Sequence, residues 1–147
     1  MGMRYESKDQ LSWAIFYEAA YRVGFTLMEL GRMITAEYYL LIALHANDPR
    51  NIHEYINFLV NNKEPEALDY VRDAIAKAPK PNTDNEEEIA GWNFHVAFLK
   101  RRLSYILIDR GHFDEAETLL KQMLDDPLSK DFAKGELDYM YEQFRRL

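Results

Sequence analysis

The chain has 147 residues, of which 48% are apolar and 14% are aromatic, so it holds enough apolar material for a packed core and is not expected to be disordered. Its net charge of −7 disfavours nucleic acid as a partner, because phosphate binding usually needs a basic surface. The sequence has no cysteine, which excludes disulfides, thiolate nucleophiles and thiolate metal ligands.

Apolar residues recur with helical spacing along the chain, and no segment alternates with the period of a strand. A capping box at Ser7–Gln10 predicts the start of a first helix that runs to about Leu30. Gly31 then suits the left-handed backbone that often ends a helix. A second helix is predicted over about 33–46.

Asp48 followed by Pro49 predicts the start of a third helix, because aspartate caps the first amides and proline fits the first helical position. Pro65 is predicted to start the fourth helix, which ends before the prolines at 79 and 81. A capping box at Thr83–Glu86 opens the fifth and longest helix, which stops at Gly111. With a sixth helix over about 113–124 and a last one from about Ser129, the sequence predicts an all-α protein of about seven helices with short connections.

An internal repeat is visible when Gly31 is aligned with Gly111, at an offset of 80 residues. The other positions that coincide are Leu27 with Leu107, Ala36 with Ala116, Leu40 with Leu120, and Leu44 with Leu124. A weaker copy between them has Asn62 in the place of the glycine. A small residue after the turn lets two helix backbones approach closely, so we expect Ala36 and Ala116 to be buried between paired helices.

This pattern of turn glycine, small residue, large apolar residue and closing proline resembles the tetratricopeptide repeat family, whose unit is about 34 residues long. The positions that carry the resemblance are Gly31, Ala36, Leu40 and Ala43; Asn62, Ala67, Val71, Ala74 and Pro79; and Gly111, Ala116, Leu120 and Pro127, with Gly24 as the small residue of the first helix. The resemblance implies an α-solenoid of antiparallel helix pairs in a single domain, 1–147. Its repeat-like units lie at about 17–48, 49–79 and 84–127, with a capping helix at 129–146.

No catalytic, cofactor or metal site is predicted. The four histidines, at positions 45, 53, 95 and 112, lack the spacing of metal ligands, and the sequence has no phosphate-binding glycine motif and no serine nucleophile motif. We therefore do not expect an enzyme.

In the family that the chain resembles, the first helix of each pair lines a groove that holds a peptide. This resemblance implies a set of partner-binding residues on the first and fifth helices, where aromatic side chains and arginines recur at helical spacing. They are Glu18, Tyr21, Arg22, Phe25, Glu29, Arg101, Arg102, Tyr105 and Asp109. The alternative for each is a structural role, in which the aromatic rings are core and the charges are solvated.

The predicted function is a protein–protein interaction module whose partner is a protein or peptide. One alternative is a self-associating scaffold or a domain of a larger protein, with aromatic residues such as Tyr38 and Tyr139 mediating a homodimer; another is a small acidic chaperone for a protein client. No apolar stretch approaches the ~20 residues that span a bilayer, so no membrane partner is predicted. Without a signal-peptide core, the cytoplasm is the default expectation.

Overall fold

The structure of the chain is a computed structural model that describes residues 8–78 and 80–144. Over these residues the backbone forms seven α-helices and one 3₁₀ turn at Leu44–Ala46, with no β-strand, which confirms the predicted all-α class. The helices are α1 (Lys8–Glu29), α2 (Met33–Ala43), α3 (Pro49–Asn61), α4 (Ala67–Ala76), α5 (Glu86–Asp109), α6 (Phe113–Met123) and α7 (Lys130–Phe144).

The chain divides into two compact units, one up to Asn62 and one from Lys63 onward. In the first unit, α1 and α2 pack along each other and α3 packs against α2. In the second unit, α4 packs against α5, α5 against α6, and α6 against α7. The boundary lies inside the segment 49–79, whose grouping as one repeat stays a prediction.

The turn between α1 and α2 has the same backbone geometry as the turn between α5 and α6. Gly31 and Gly111 have positive φ angles of 78° and 80°. The amide after each glycine donates to the carbonyl five residues earlier, over 2.9 Å from Arg32 and 2.8 Å from His112. This is the hydrogen bond of a helix end closed by a left-handed glycine, as the sequence predicts for both positions.

Small side chains are buried near the start of α2 and α6. Ala36 and Ala116 are both 0% exposed, and Leu40 and Leu120, four residues later, are also buried. The expectation that these two alanines lie inside the helix packing is therefore confirmed. Each alanine lets a neighbouring helix approach, and each leucine fills the space beside it.

The likeness between the two segments extends to the helix that follows each hairpin. The carboxylates of Asp48 and Asp126 each accept the amide two residues further on, over 2.8 Å and 3.1 Å. Buried positions then coincide at an offset of 78 residues: Asn51 with Ser129, Tyr55 with Ala133, and Leu59 with Leu137. The segments α1–α3 and α5–α7 therefore share a three-helix succession, beyond the glycine-centred pairs.

The predicted weaker copy differs in its turn. Asn62 has a φ of −94°, and the left-handed residue is Lys63, with a φ of 52°. The placement of Asn62 at the glycine position is therefore wrong by one residue. Two turn residues, Pro65 and Glu66, then precede α4, which begins at Ala67 instead of at the proline.

The start of α5 also corrects the sequence interpretation. Asn85, and not Thr83, caps the helix, because its side-chain oxygen accepts the amide of Glu88 over 3.0 Å. The hydroxyl of Thr83 accepts the amide of Asn85 over 3.1 Å and so holds the capping residue in place. Ser7, in the first predicted capping box, lies outside the described residues.

Candidate functional site

A cluster of charged and aromatic side chains lies where α1 meets the start of α3. The Glu18 carboxylate accepts Nε of Arg22 over 3.0 Å and also forms an ion pair with Arg50. The Arg50 guanidinium lies over the ring of Tyr21, 3.8 Å from the ring centroid. Tyr21 in turn stacks on Phe25, with 6.3 Å between the ring centroids. Four of the predicted partner-binding residues are therefore linked, through an arginine that was not predicted.

The charges of this cluster are mutually stabilised. The hydrogen bond from Arg50 is the largest influence that lowers the pKa of the Glu18 carboxyl, although partial desolvation opposes it. The same hydrogen bond raises the pKa of Arg50. Burial is the largest influence that raises the pKa of Tyr21. Both members of the ion pair remain charged at neutral pH.

A groove of about 660 Å³ lies beside this cluster and is named the α1/α3 groove. Its apolar wall comes from the first half of α1, where the Trp13 side chain is 57% exposed and stacks on Tyr17 with 5.8 Å between ring centroids. The other wall comes from the 3₁₀ turn and the start of α3. The lining residues are Gln10, Leu11, Trp13, Ala14, Ile15, Tyr17, Glu18, His45, Ala46, Asp48, Arg50 and Asn51.

The two arginines of α5 that were predicted to bind a partner make different contacts. The Arg101 guanidinium donates to the carbonyl of Leu128 and lies 5.2 Å from the ring centroid of Phe132, so it joins α5 to the start of α7. Its Nε is buried and has no acceptor among the described residues. Arg102 lies 5.4 Å from the ring centroid of Phe98, one turn earlier on the same helix. Arg101 is therefore held in a contact between helices.

A groove of about 580 Å³ lies between the last turns of α5, the start of α6 and the second half of α7, and is named the α5/α7 groove. Two half-exposed tyrosines, Tyr105 and Tyr139, form part of its wall, and carboxylates come from Asp109 and Glu136. The described residues of the lining are Tyr105, Ile108, Asp109, Phe113, Glu136, Tyr139 and Gln143.

The structure thus sorts the predicted residues by position. Glu18 lines the α1/α3 groove, and Tyr105 and Asp109 line the α5/α7 groove. The other six predicted residues lie outside both linings. Tyr21, Arg22 and Phe25 belong to the cluster around Glu18 and Arg50. Arg101 makes a contact between helices, Arg102 contacts Phe98 on its own helix, and Glu29 is exposed at the end of α1.

Sequence reasoning missed the side of each groove that comes from the following helix. Arg50 was missed on α3 and Glu136 on α7, and Tyr139 was predicted to mediate self-association instead of lining a groove. The sequence feature that could have revealed these helices is the Asp-Pro pair after each hairpin, which indicates that α3 and α7 correspond to each other. That signal indicates that a third helix follows but does not indicate which of its faces meets the first.

The outer face of α2 is an exposed apolar surface, formed by Ile34, Tyr38 and Leu41. Their side chains are 91%, 63% and 43% exposed. The spacing of four and three residues places them on one stripe of the helix. A stripe of this kind on a protein surface is typical of an association site.

Over residues 8–78 and 80–144, no group of three or more histidine, aspartate or glutamate side chains is placed to hold a metal ion. Within the same ranges, none of the helices has the length and apolar character needed to cross a membrane. His95 is buried on α5, and this burial lowers the pKa of its imidazole.

Comparisons of the chain with protein-family models, with curated proteins and with solved structures found no significant match. The two grooves and the exposed side chains around them are the features of the described residues that bear on function.

Proposed function

We propose that the chain is a protein–protein interaction module that binds a peptide segment of its partner and catalyses no reaction. Supporting this proposal, each groove lies between the first helix of a hairpin and the helix that follows that hairpin. The α1/α3 groove lies near the starts of its two helices, and the α5/α7 groove lies near their ends. The same helix succession thus leaves an open space in both segments, although the lining side chains differ.

The composition of these grooves suits a polypeptide ligand. Exposed tryptophan and tyrosine rings offer large contact areas that lose little side-chain entropy on binding. The carboxylates and Arg50 at the groove margins can pair with charged or polar groups of a partner. The resemblance to tetratricopeptide repeats also implies a ligand groove, because the first helix of each pair lines the groove in that family.

A peptide-display selection against the folded protein tests this function. We expect selected peptides to bind the parent protein and to lose affinity by about tenfold or more when Tyr105 and Tyr139 are both changed to alanine, because buried aromatic contacts dominate such interfaces. Tyr38→Ala is the control, since Tyr38 is also exposed but lies on α2, outside both groove linings. Far-ultraviolet circular dichroism checks that each variant remains helical.

The proposal fails if selected peptides bind the parent and the Tyr105/Tyr139 double variant equally and also bind equally after Trp13→Ala. Loss of binding in the Tyr38→Ala control alone would move the site away from both grooves and would equally contradict the proposal.

The outer face of α2 favours self-association as a second candidate function. Burial of Ile34 and Tyr38 against another copy would remove from water side chains that are now mostly exposed. Sedimentation velocity tests this candidate: we expect species larger than the 17.4 kDa monomer that dissociate in Ile34→Glu and persist in Thr35→Glu, whose site on α2 is also exposed. A concentration-independent monomer would contradict it.

A further inference from the structure

The described lining of the α5/α7 groove is acidic. Asp109 and Glu136 are the charged residues among the described lining residues, none of which is a cation. Among the described residues, neither carboxylate has an ion-pair partner. Arg110, the residue after Asp109, donates instead to the carbonyl of Glu64 over 2.9 Å.

Asp109 occupies a position that is unfavourable for its charge. It is the last residue of α5, where the helix dipole is negative and favours cations. A carboxylate there raises the negative potential at the groove and destabilises the helix end. A cation supplied by a ligand would relieve both effects.

The apolar part of the groove lies beside these carboxylates. Tyr105 and Tyr139 are 47% and 54% exposed, and Ile108 and Phe113 complete the apolar wall. Aromatic rings next to carboxylates suit a lysine or arginine side chain, whose aliphatic stem packs on the rings while its charged end reaches the oxygens. The rings also suit an apolar side chain on the next turn of the same ligand.

We propose that the α5/α7 groove selects a basic amphipathic segment of a partner polypeptide. Lysine or arginine side chains of the segment pair with Asp109 and Glu136, and its apolar side chains pack on the two tyrosines. The net charge of −7 also favours encounter with a cationic partner. This inference rests on the proposed peptide-binding function and adds the chemistry of the ligand.

The test uses three labelled synthetic helical peptides with leucine at the same i, i+3, i+4 and i+7 positions. The remaining positions are lysine in one peptide, glutamine in the second and glutamate in the third. Fluorescence anisotropy measures their affinity for the full chain, for Asp109→Lys with Glu136→Lys, and for Asp84→Lys with Asp138→Lys. The last pair is the matched control, because it makes the same change in net charge at exposed sites outside the groove lining.

We expect the parent protein to bind the lysine peptide about tenfold or more tighter than the glutamate peptide. The groove variant should lose this preference or reverse it, and the control variant should keep it. Retention of the preference in the groove variant, or equal loss in both variants, would overturn the inference, because the preference would then come from overall charge.

The glutamine peptide separates this inference from the function on which it rests. If its binding is lost after Tyr105→Ala with Tyr139→Ala while no peptide shows a charge preference, peptide binding stands and the selection of basic segments is wrong. If none of the three peptides responds to the loss of the two tyrosines, the α5/α7 groove does not bind peptides and this inference falls. The proposed peptide-binding function falls with it only if Trp13→Ala in the α1/α3 groove also leaves peptide binding unchanged.

Discussion

Gly24 on α1 lies so close to Leu40 on α2 that a Cβ atom at residue 24 would stand 2.8 Å from Cδ2 and 3.2 Å from the backbone nitrogen of Leu40. The first distance is shorter than real Cβ contacts, and the second involves backbone that cannot rotate away. The two helices can therefore pack at this distance only with glycine at position 24.

Gly24→Ala is expected to destabilise the protein, although alanine is the better helix former. The helix interior would gain about 1 kcal/mol from the substitution, whereas overpacking of this kind costs about 1–3 kcal/mol. We expect a net loss in the free energy of unfolding, measured by urea denaturation. Gly135→Ala on α7 is the control: no atom lies within 4 Å of its would-be Cβ, so it should gain about 0.5–1 kcal/mol. Equal gains in both variants would show that the α1–α2 contact is looser than described.

The Arg50–Tyr21 contact is expected to stabilise the first unit through a cation–π interaction. A double-mutant cycle of Arg50→Met and Tyr21→Leu should give a coupling energy of about 0.5–1 kcal/mol, since the guanidinium is partly exposed. The same cycle at Arg101 and Phe132, where the distance is 5.2 Å, should give a smaller value. A coupling energy near zero at the first pair would show that the stacked geometry contributes no stability.

The pH dependence of the Glu18–Arg50 ion pair follows from the lowered pKa of Glu18. Because the folded carboxyl binds its proton less tightly than the unfolded one, the pair stabilises the fold above the ordinary value of 4.5. This contribution is lost as the pH falls through the lowered pKa. The stability difference between the parent and Glu18→Gln should therefore be present at neutral pH and vanish in acid. A difference that does not change between the two conditions would contradict this account.

Substitutions at Lys63 and Gly111, which both have a left-handed backbone, are expected to change stability in opposite directions. Lys63→Gly should stabilise the protein by up to about 1 kcal/mol, because glycine avoids the steric cost of a φ of 52°. Gly111→Ala should destabilise it by a similar amount, since alanine would be strained at a φ of 80°. Thermal unfolding of both variants measures the signs. Destabilisation by Lys63→Gly would indicate that the lysine side chain makes a contact that outweighs the backbone strain.

His95 predicts a loss of stability in mild acid. Its imidazole has a lowered pKa because it is buried, so the unfolded chain takes up this proton first as the pH falls below about 6.5. Stability should then decrease by at most about 1.4 kcal/mol per pH unit until the folded imidazole also becomes protonated. His95→Leu should flatten this part of the profile, measured by urea unfolding between about pH 7.5 and 5.5. Parallel profiles for the two proteins would exclude His95 as the cause.

Local chain signals account for the part of the fold that could be predicted. The left-handed turns at Gly31 and Gly111 and the Asp48 cap depend on a few neighbouring residues, so their types reveal them. One error occurs where two nearby residues both suit the same position, as with Thr83 and Asn85 at the start of α5. Another occurs where the left-handed backbone falls on Lys63 although its neighbour Asn62 suits that conformation better. A sequence pattern cannot separate these cases, because the choice depends on strain and contacts that only the folded chain supplies.

The sequence alone determined that the chain forms helical hairpins with buried alanines at their seams, because helix ends, turns and helical periodicity are local properties. The tertiary structure alone decided which faces of α3 and α7 meet α1 and α5, and hence that Arg50 covers Tyr21 and that Glu136 joins Asp109 in one groove. Those juxtapositions depend on the packing of helices that are far apart along the chain, and no short-range pattern encodes the rotation of one helix against another.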